Sequence, residues 1–259
     1  MTHSIMRAKF KPVILTVASI LFWLTVWFIV SYFLDLVFVI PTPIQTAKAF
    51  AKILISVDFY KTVSLSLLRV IIGFLLGVLI GVSLGVISHF NEPARYIITP
   101  IMSVIKSTPV ASVIILIWFF IGATKVPSFI SLIMVAPIVW ENTSAGLRST
   151  DKELLELSTV FKFRKIKQIR YIYLPSVTSY TFPAIVTSSG LAWKSGIAAE
   201  IICYTKDSIG KSIKDNRIED GPAMIAWTLT VIALSLIIEF GMKYLLRRLR
   251  SNEASNKQA

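Results

Sequence analysis

The chain has 259 residues, of which 55% are hydrophobic and only 16% charged, and its mean hydropathy is +0.73. That composition excludes an ordinary soluble domain and points to a membrane protein. Lys and Arg number 27 against 14 Asp and Glu, a net charge of +13, which in so apolar a chain reads as loop charge that fixes membrane orientation and not as a nucleic-acid surface.

In chain order, Arg7, Lys9 and Lys11 precede an uncharged apolar run from Pro12 to Leu34. The run is too long for a signal-peptide core and no small-residue cleavage site follows, so an uncleaved first membrane helix is expected. Pro41 and Pro43 then break the chain, and Ile44, Ala47, Phe50, Ala51 and Leu54 recur at helical spacing, as in a short amphipathic helix at the outer surface. Further apolar segments at 62–88, 97–121, 127–146, 176–203 and 223–246 bring the expected spans to about six. The 97–121 segment is interrupted by Lys106 and Pro109 and is expected to be kinked or partly interfacial. In the second span Gly73, Gly77, Gly81 and Gly85 fall every fourth residue, hence on one helix face, where a missing side chain lets another helix approach closely.

Basic residues cluster at both ends (Arg7, Lys9, Lys11; Lys243, Arg247, Arg248, Arg250, Lys257), at Arg95 and across 148–170. Both termini are therefore expected in the cytoplasm of a multi-pass cell-membrane protein. The outer segment 204–222 runs mildly against this, with Lys206, Lys211, Lys214 and Arg217.

The segment of about 148–175 is a polar, basic, helix-forming insert in this apolar chain. It holds Arg148, Lys152, Lys162, Arg164, Lys165, Lys167 and Arg170. Thr150 and Glu153 have the spacing of a capping box, with Asp151 in the first turn. Leu154, Leu157 and Phe161 share a helix face, and Ile166, Ile169 and Tyr173 share another ahead of Pro175. Two short helices leading directly into a span could dock on a partner or lie as a solvated basic loop. The residues alone leave both readings open.

The insert resembles the signature of permease subunits of ABC importers: E-A-A, three residues, Gly, nine residues, I-x-L-P. Glu156, Leu157 and Ser158 stand at the E-A-A positions, and Ile172, Tyr173, Leu174 and Pro175 keep the I-x-L-P spacing; Lys162 departs from the pattern at the glycine that makes the turn in the family. The stretches 66–85, 99–122, 141–147 and 190–201 are similar to the nitrate, sulfonate and taurine branch of these permeases. The resemblance implies an all-α, single-domain (1–259) type I importer permease with about six membrane helices, working as a homodimer. It implies cytoplasmic ABC ATPase subunits, an extracytoplasmic substrate-binding protein and a second permease copy as partners. Leu154, Leu155, Glu156, Leu157, Ser158, Val160, Phe161 and Lys162 would form the ATPase-coupling element. The solute would be a small sulfonate-, taurine- or nitrate-like anion, or, as in related members, a vitamin precursor or heterocycle.

At membrane depth, Lys194 and Glu200 are costly charges, and Trp193 and Glu200, seven apart, share a face. Two readings stand: Trp193, Lys194 and Glu200 border the substrate pathway, or Lys194 pairs with a neighbour and Glu200 snorkels outward. The single cysteine, Cys203, and the two histidines, His3 and His89, offer no disulfide, metal site or cofactor site. The segment from Asp207 to Ser212 is no phosphate loop, because position 205 is Thr where a glycine is required. ATP hydrolysis is therefore expected on a separate subunit. An ion-coupled secondary transporter is the alternative class; it would favour inverted repeats and leave the basic insert unexplained.

Overall fold

The computed structural model describes the backbone of residues 2–34 and 40–256 and the side chains of 14–34 and 40–248. The side chains of Arg7, Lys9, Lys11, Arg250 and Lys257, used above for orientation, lie outside the described residues. Every regular element among the described residues is helical: α1 (Thr2–Leu34), α2 (Pro43–Ile55), α3 (Val57–Phe90), α4 (Glu92–Ser107), α5 (Val110–Ile121), α6 (Val126–Arg148), α7 (Lys152–Val160), α8 (Lys165–Gln168), a π turn (Ile169–Tyr173), α9 (Leu174–Cys203), α10 (Ile209–Glu219) and α11 (Gly221–Asn256). The chain divides into two compact units, Met1–Tyr60 with Ser212–Thr230, and Lys61–Lys211 with Val231–Ala259.

In the first unit, α2 starts at a capping box: the Gln45 amide donates to Thr42 Oγ1 at 3.3 Å, and the Thr42 amide donates back to Gln45 Oε1 at 2.8 Å. Pro43 occupies the first helical turn, where its missing N–H costs nothing. The indole of Trp27 donates to the Pro41 carbonyl at 3.0 Å and Ser31 to the Ile40 carbonyl at 2.7 Å, which fastens α1 to the segment entering α2.

The second unit is built around α6. The four glycines of α3 lie against it: a Cβ on Gly81 would stand 2.7 Å from the Ala136 carbonyl oxygen, and one on Gly77 2.9 Å from that of Leu132. Real Cβ atoms do not approach so closely, so side chains here would force the helices apart. At this distance hydroxyls reach across the helices. Ser144 donates to the Gly85 carbonyl at 3.2 Å, Trp140 Nε1 to Ser88 Oγ at 2.9 Å, and Ser131 to the Ala192 carbonyl of α9 at 3.1 Å. Ile114, Val126, Ile130, Ala199 and Cys203 form a buried apolar cluster from α5, α6 and α9.

Four helices among the described residues are long and apolar enough to cross a membrane, within Ile14–Leu34, Val57–Phe90, Val126–Arg148 and Gly221–Arg248. The α4–α5 pair adds a fifth if taken as one span bent by 107°. The bend follows from the chain: Thr108 ends α4 and Pro109, without an N–H, cannot continue it. The sixth expected span, α9, has 30 residues, ample length, but falls short in apolarity. Eight Ser and Thr residues, with Lys194 and Glu200, dilute it. Those polar groups are tolerated because α9 turns much of its surface to protein, above all to α6.

Candidate functional site

The insert folds as a compact two-helix element. Its cap is Asp151, whose carboxylate accepts the Glu153 amide at 2.8 Å. The expected Thr150 cap is not formed: Thr150 is buried and its hydroxyl turns back toward the Gly146 carbonyl. At the other end of α7, the Phe163 amide donates to the Ser158 carbonyl at 2.8 Å and the Lys162 amide to that of Thr159 at 3.0 Å. These two bonds define a Schellman turn, which needs a left-handed residue between helix and exit. Lys162 supplies it, with φ of 51°. Glycine adopts that conformation without strain; lysine holds it against a steric cost of roughly 1–2 kcal/mol.

Ser158 is 2% exposed and turns inward, donating to the Leu155 carbonyl at 2.7 Å and accepting from Gln168 Nε2 at 2.9 Å. It ties α7 to α8 and offers nothing to a partner. Leu155 is half-buried and Glu156 exposed. Leu154, Leu157, Val160, Phe161, Phe163, Ile166 and Ile169 are all exposed, Val160 by 76% and Phe161 by 66%. So many large apolar side chains on a strongly basic element mark a surface that something covers.

The element is joined firmly to the spans. The Leu174 amide donates to the Ile169 carbonyl, five residues back, which makes 169–173 a π turn. A wider turn gives Pro175 the room that an α-helix denies a proline ring against the carbonyl four residues earlier. Tyr173 packs edge-on against Phe90 at the end of α3, with ring centroids 5.7 Å apart. A displacement of α7 and α8 therefore reaches α9 through continuous helix and α3 through this contact.

The three membrane-depth residues of the sequence reading separate. Trp193 is fully buried and its indole donates to the Val231 carbonyl at 3.0 Å. Glu200 is 0% exposed, so it neither snorkels outward nor lines an opening in this chain. It accepts from Ser66 Oγ at 2.9 Å, from the Gly210 amide at 3.2 Å and from Arg69 at 3.4 Å. Arg69 also donates to the carbonyls of Lys206 and Asp207 at 3.0 and 3.1 Å. The charged pair thus clasps the 204–210 turn, in which Tyr204 and Asp207 both have positive φ. Arg69 was legible only as a charge near a span end; nothing in the sequence connects it to a residue 131 positions later. Lys194 alone faces open space, in a cavity of about 370 Å³ that it shares with Glu239 and Lys243.

Residues 73–251 match the family model described as the binding-protein-dependent transport system inner membrane component. The chain belongs to that family. Its matched region contains all four α3 glycines, the whole insert, and the Trp193, Lys194 and Glu200 positions. Among relatives, a Bacillus subtilis (strain 168) protein named as an aliphatic sulfonates transport permease, SsuC, is 27% identical over 181 residues, covering 69% of this chain and 65% of its own length. The Escherichia coli (strain K12) taurine transport system permease protein TauC is 23% identical over 254 residues, 92% of this chain and 90% of TauC. A solved structure of the MetNI methionine ABC transporter, in inward-facing form, superposes with a TM-score of 0.62 at 14% identity, over 74% of this chain and 95% of that one. At that identity the likeness shows the fold: these helices adopt the architecture of an ABC importer's membrane subunit.

Proposed function

We propose that this chain is the membrane subunit of an ATP-driven importer of a small anionic solute, working as a pair of copies with cytoplasmic ATPase subunits and an extracytoplasmic binding protein. The sulfonate and taurine names of its relatives support the solute class. The observation that carries the reading is the exposed apolar surface of α7 and α8 on a rigid, basic element joined by continuous helix to α9. Leu154, Leu157, Val160 and Phe161 are the contacts, with Glu156 beside them and Leu155 beneath; Ser158 and Lys162 hold the shape. Closure of the ATPases moves this element, and the rigid helices α9 and α3 convert the movement into alternate opening of the two membrane faces. Both termini and the insert lie on the cytoplasmic side.

Affinity purification of the full chain from gently solubilised native membranes, followed by mass spectrometry, tests this. An ATP-binding subunit and a binding protein should accompany it. Recovery without any ATPase, even after mild crosslinking, would contradict the proposal and favour ion-coupled transport.

A further inference from the structure

One cavity in the second unit carries four charged side chains in its wall. It lies between α4 and α6, has a volume of about 500 Å³, and is lined by Arg95, Thr99, Ser103 and Lys106 from α4 and by Glu141 and Arg148 from α6. The volume is within the usual range for small-molecule sites, roughly 300–1,000 Å³. The α4 residues recur at intervals of four, four and three, so they form one stripe along that helix, and Glu141 and Arg148, seven apart, form a facing stripe on α6.

The charges do not cancel. Lys106 pairs with Glu141 at 2.5 Å, and Arg95 pairs with Glu92, which is not part of the lining, at 3.6 Å across one turn of α4; with Arg148 the group keeps an excess of one positive charge. The Thr99 and Ser103 hydroxyls donate to the carbonyls one turn back, of Arg95 and Thr99, at 2.7 and 2.9 Å. The guanidinium groups therefore supply the donors that face the space. Their forked geometry suits a carboxylate, sulfonate or phosphate.

A membrane setting sharpens the point. Lys106 and Glu141 keep 45% and 53% of their side chains exposed, a state that hydrocarbon does not tolerate. This face must meet water or another protein copy, whereas the large apolar side chains exposed along α3, such as Leu75 and Leu79, suit lipid.

We propose that the α4–α6 cleft is the anion-conducting wall of the chain, and that Arg95 and Arg148 attract the solute there. This places the pathway on α4 and α6 in preference to Trp193 and Glu200, which are buried. The inference rests on the import reading for its biological meaning, but its test needs neither ATPase nor transport.

The only cysteine, Cys203, is 1% exposed. Thr99→Cys and Ser103→Cys then place a reporter thiol in the cleft of the full chain, in lipid nanodiscs that admit reagent from both faces. The probes are the anionic ethylsulfonate methanethiosulfonate and its cationic trimethylammonium counterpart. The anionic reagent should modify both positions faster than the cationic one. Arg95→Gln or Arg148→Gln should lower the anion-to-cation rate ratio by about five-fold or more, the effect of one unit charge a few ångströms from the anion in a wet site. Lys125→Gln, at the far end of α6, should leave the ratio unchanged. No modification by either reagent would show that lipid fills the cleft, and equal rates insensitive to the arginines would show water without anion selection; either result overturns the proposal. So would protection of the thiols in phosphatidylglycerol but not phosphatidylcholine nanodiscs, which would assign the site to a lipid headgroup. Unaltered ratios alongside normal ATPase co-purification would reject the cleft while sparing the importer reading.

Discussion

Replacing Lys162 with glycine should stiffen the turn between α7 and α8. Lys162 holds φ of 51°, a conformation that costs an L-residue roughly 1–2 kcal/mol. Glycine avoids that cost but gives back about 0.5–1 kcal/mol through the extra freedom of the open chain. The net gain, between nothing and about 1.5 kcal/mol with a middle value of about 0.75 kcal/mol, corresponds at that middle value to roughly three- to four-fold less frequent opening of the turn. The reporters are the amides of Lys162 and Phe163, bonded at 3.0 and 2.8 Å to the carbonyls of Thr159 and Ser158. Hydrogen exchange of the insert in nanodiscs should slow by that factor in Lys162→Gly. Lys162→Ala keeps the strain and loses only the charge, so it should exchange like the natural chain. Lys162→Val should exchange faster, because a β-branched side chain fits a left-handed residue poorly. Faster exchange in Lys162→Gly, or equal slowing in Lys162→Ala and Lys162→Gly, would refute the argument that strain at this residue limits the turn.

Three further outcomes follow from the geometry. Gly81→Val should overpack the α3–α6 contact by about 1–3 kcal/mol and lower the melting temperature in detergent by several degrees, while Gly190→Val, whose added Cβ would meet nothing within 4 Å, should not; equal melting of the two would contradict close packing at α3. Arg69→Ala leaves the Glu200 carboxylate buried without its cation, a loss of roughly 3–5 kcal/mol, and adding Glu200→Gln should recover much of it; the same thermal measurement decides, and a double variant no more stable than Arg69→Ala would count against the clasp. Glu156→Arg should reduce uptake at least ten-fold in cells while expression and the elution profile of the purified chain stay normal, and undiminished uptake would argue that the α7 surface is not used for coupling.

Much of the architecture could be read from local pattern. Apolar runs located the long helices, and Lys106 and Pro109 announced an interruption that the structure shows as a sharp bend. Errors arose where neighbours decide. Thr150 and Asp151 are both competent caps, and the difference lies in tertiary position: Thr150 is buried against the end of α6, which leaves Asp151 free to accept. For Trp193 and Glu200, polarity and spacing left two readings open, a pathway wall or a paired and snorkelling charge. Polarity cannot distinguish an open wall from a satisfied interior, and Glu200 is satisfied by groups from positions 66, 69 and 210. Conversely, Arg95, Lys106 and Arg148 read only as orientation charges or interruptions, because their convergence depends on how α4 folds back beside α6. The left-handed turn at Lys162 was signalled only by the glycine that the family pattern places there.

The central claim is that the exposed face of α7 is covered by an ATP-binding subunit. A photoreactive benzoylphenylalanine at Val160, the most exposed apolar residue of that helix, tests this directly in native membranes, with the same group at Leu79 on α3 as the comparison. The account predicts a crosslink from position 160 to an ATP-binding protein and none from position 79. A normally inserted chain that crosslinks from position 160 only to lipid, or to no ATPase, would contradict it.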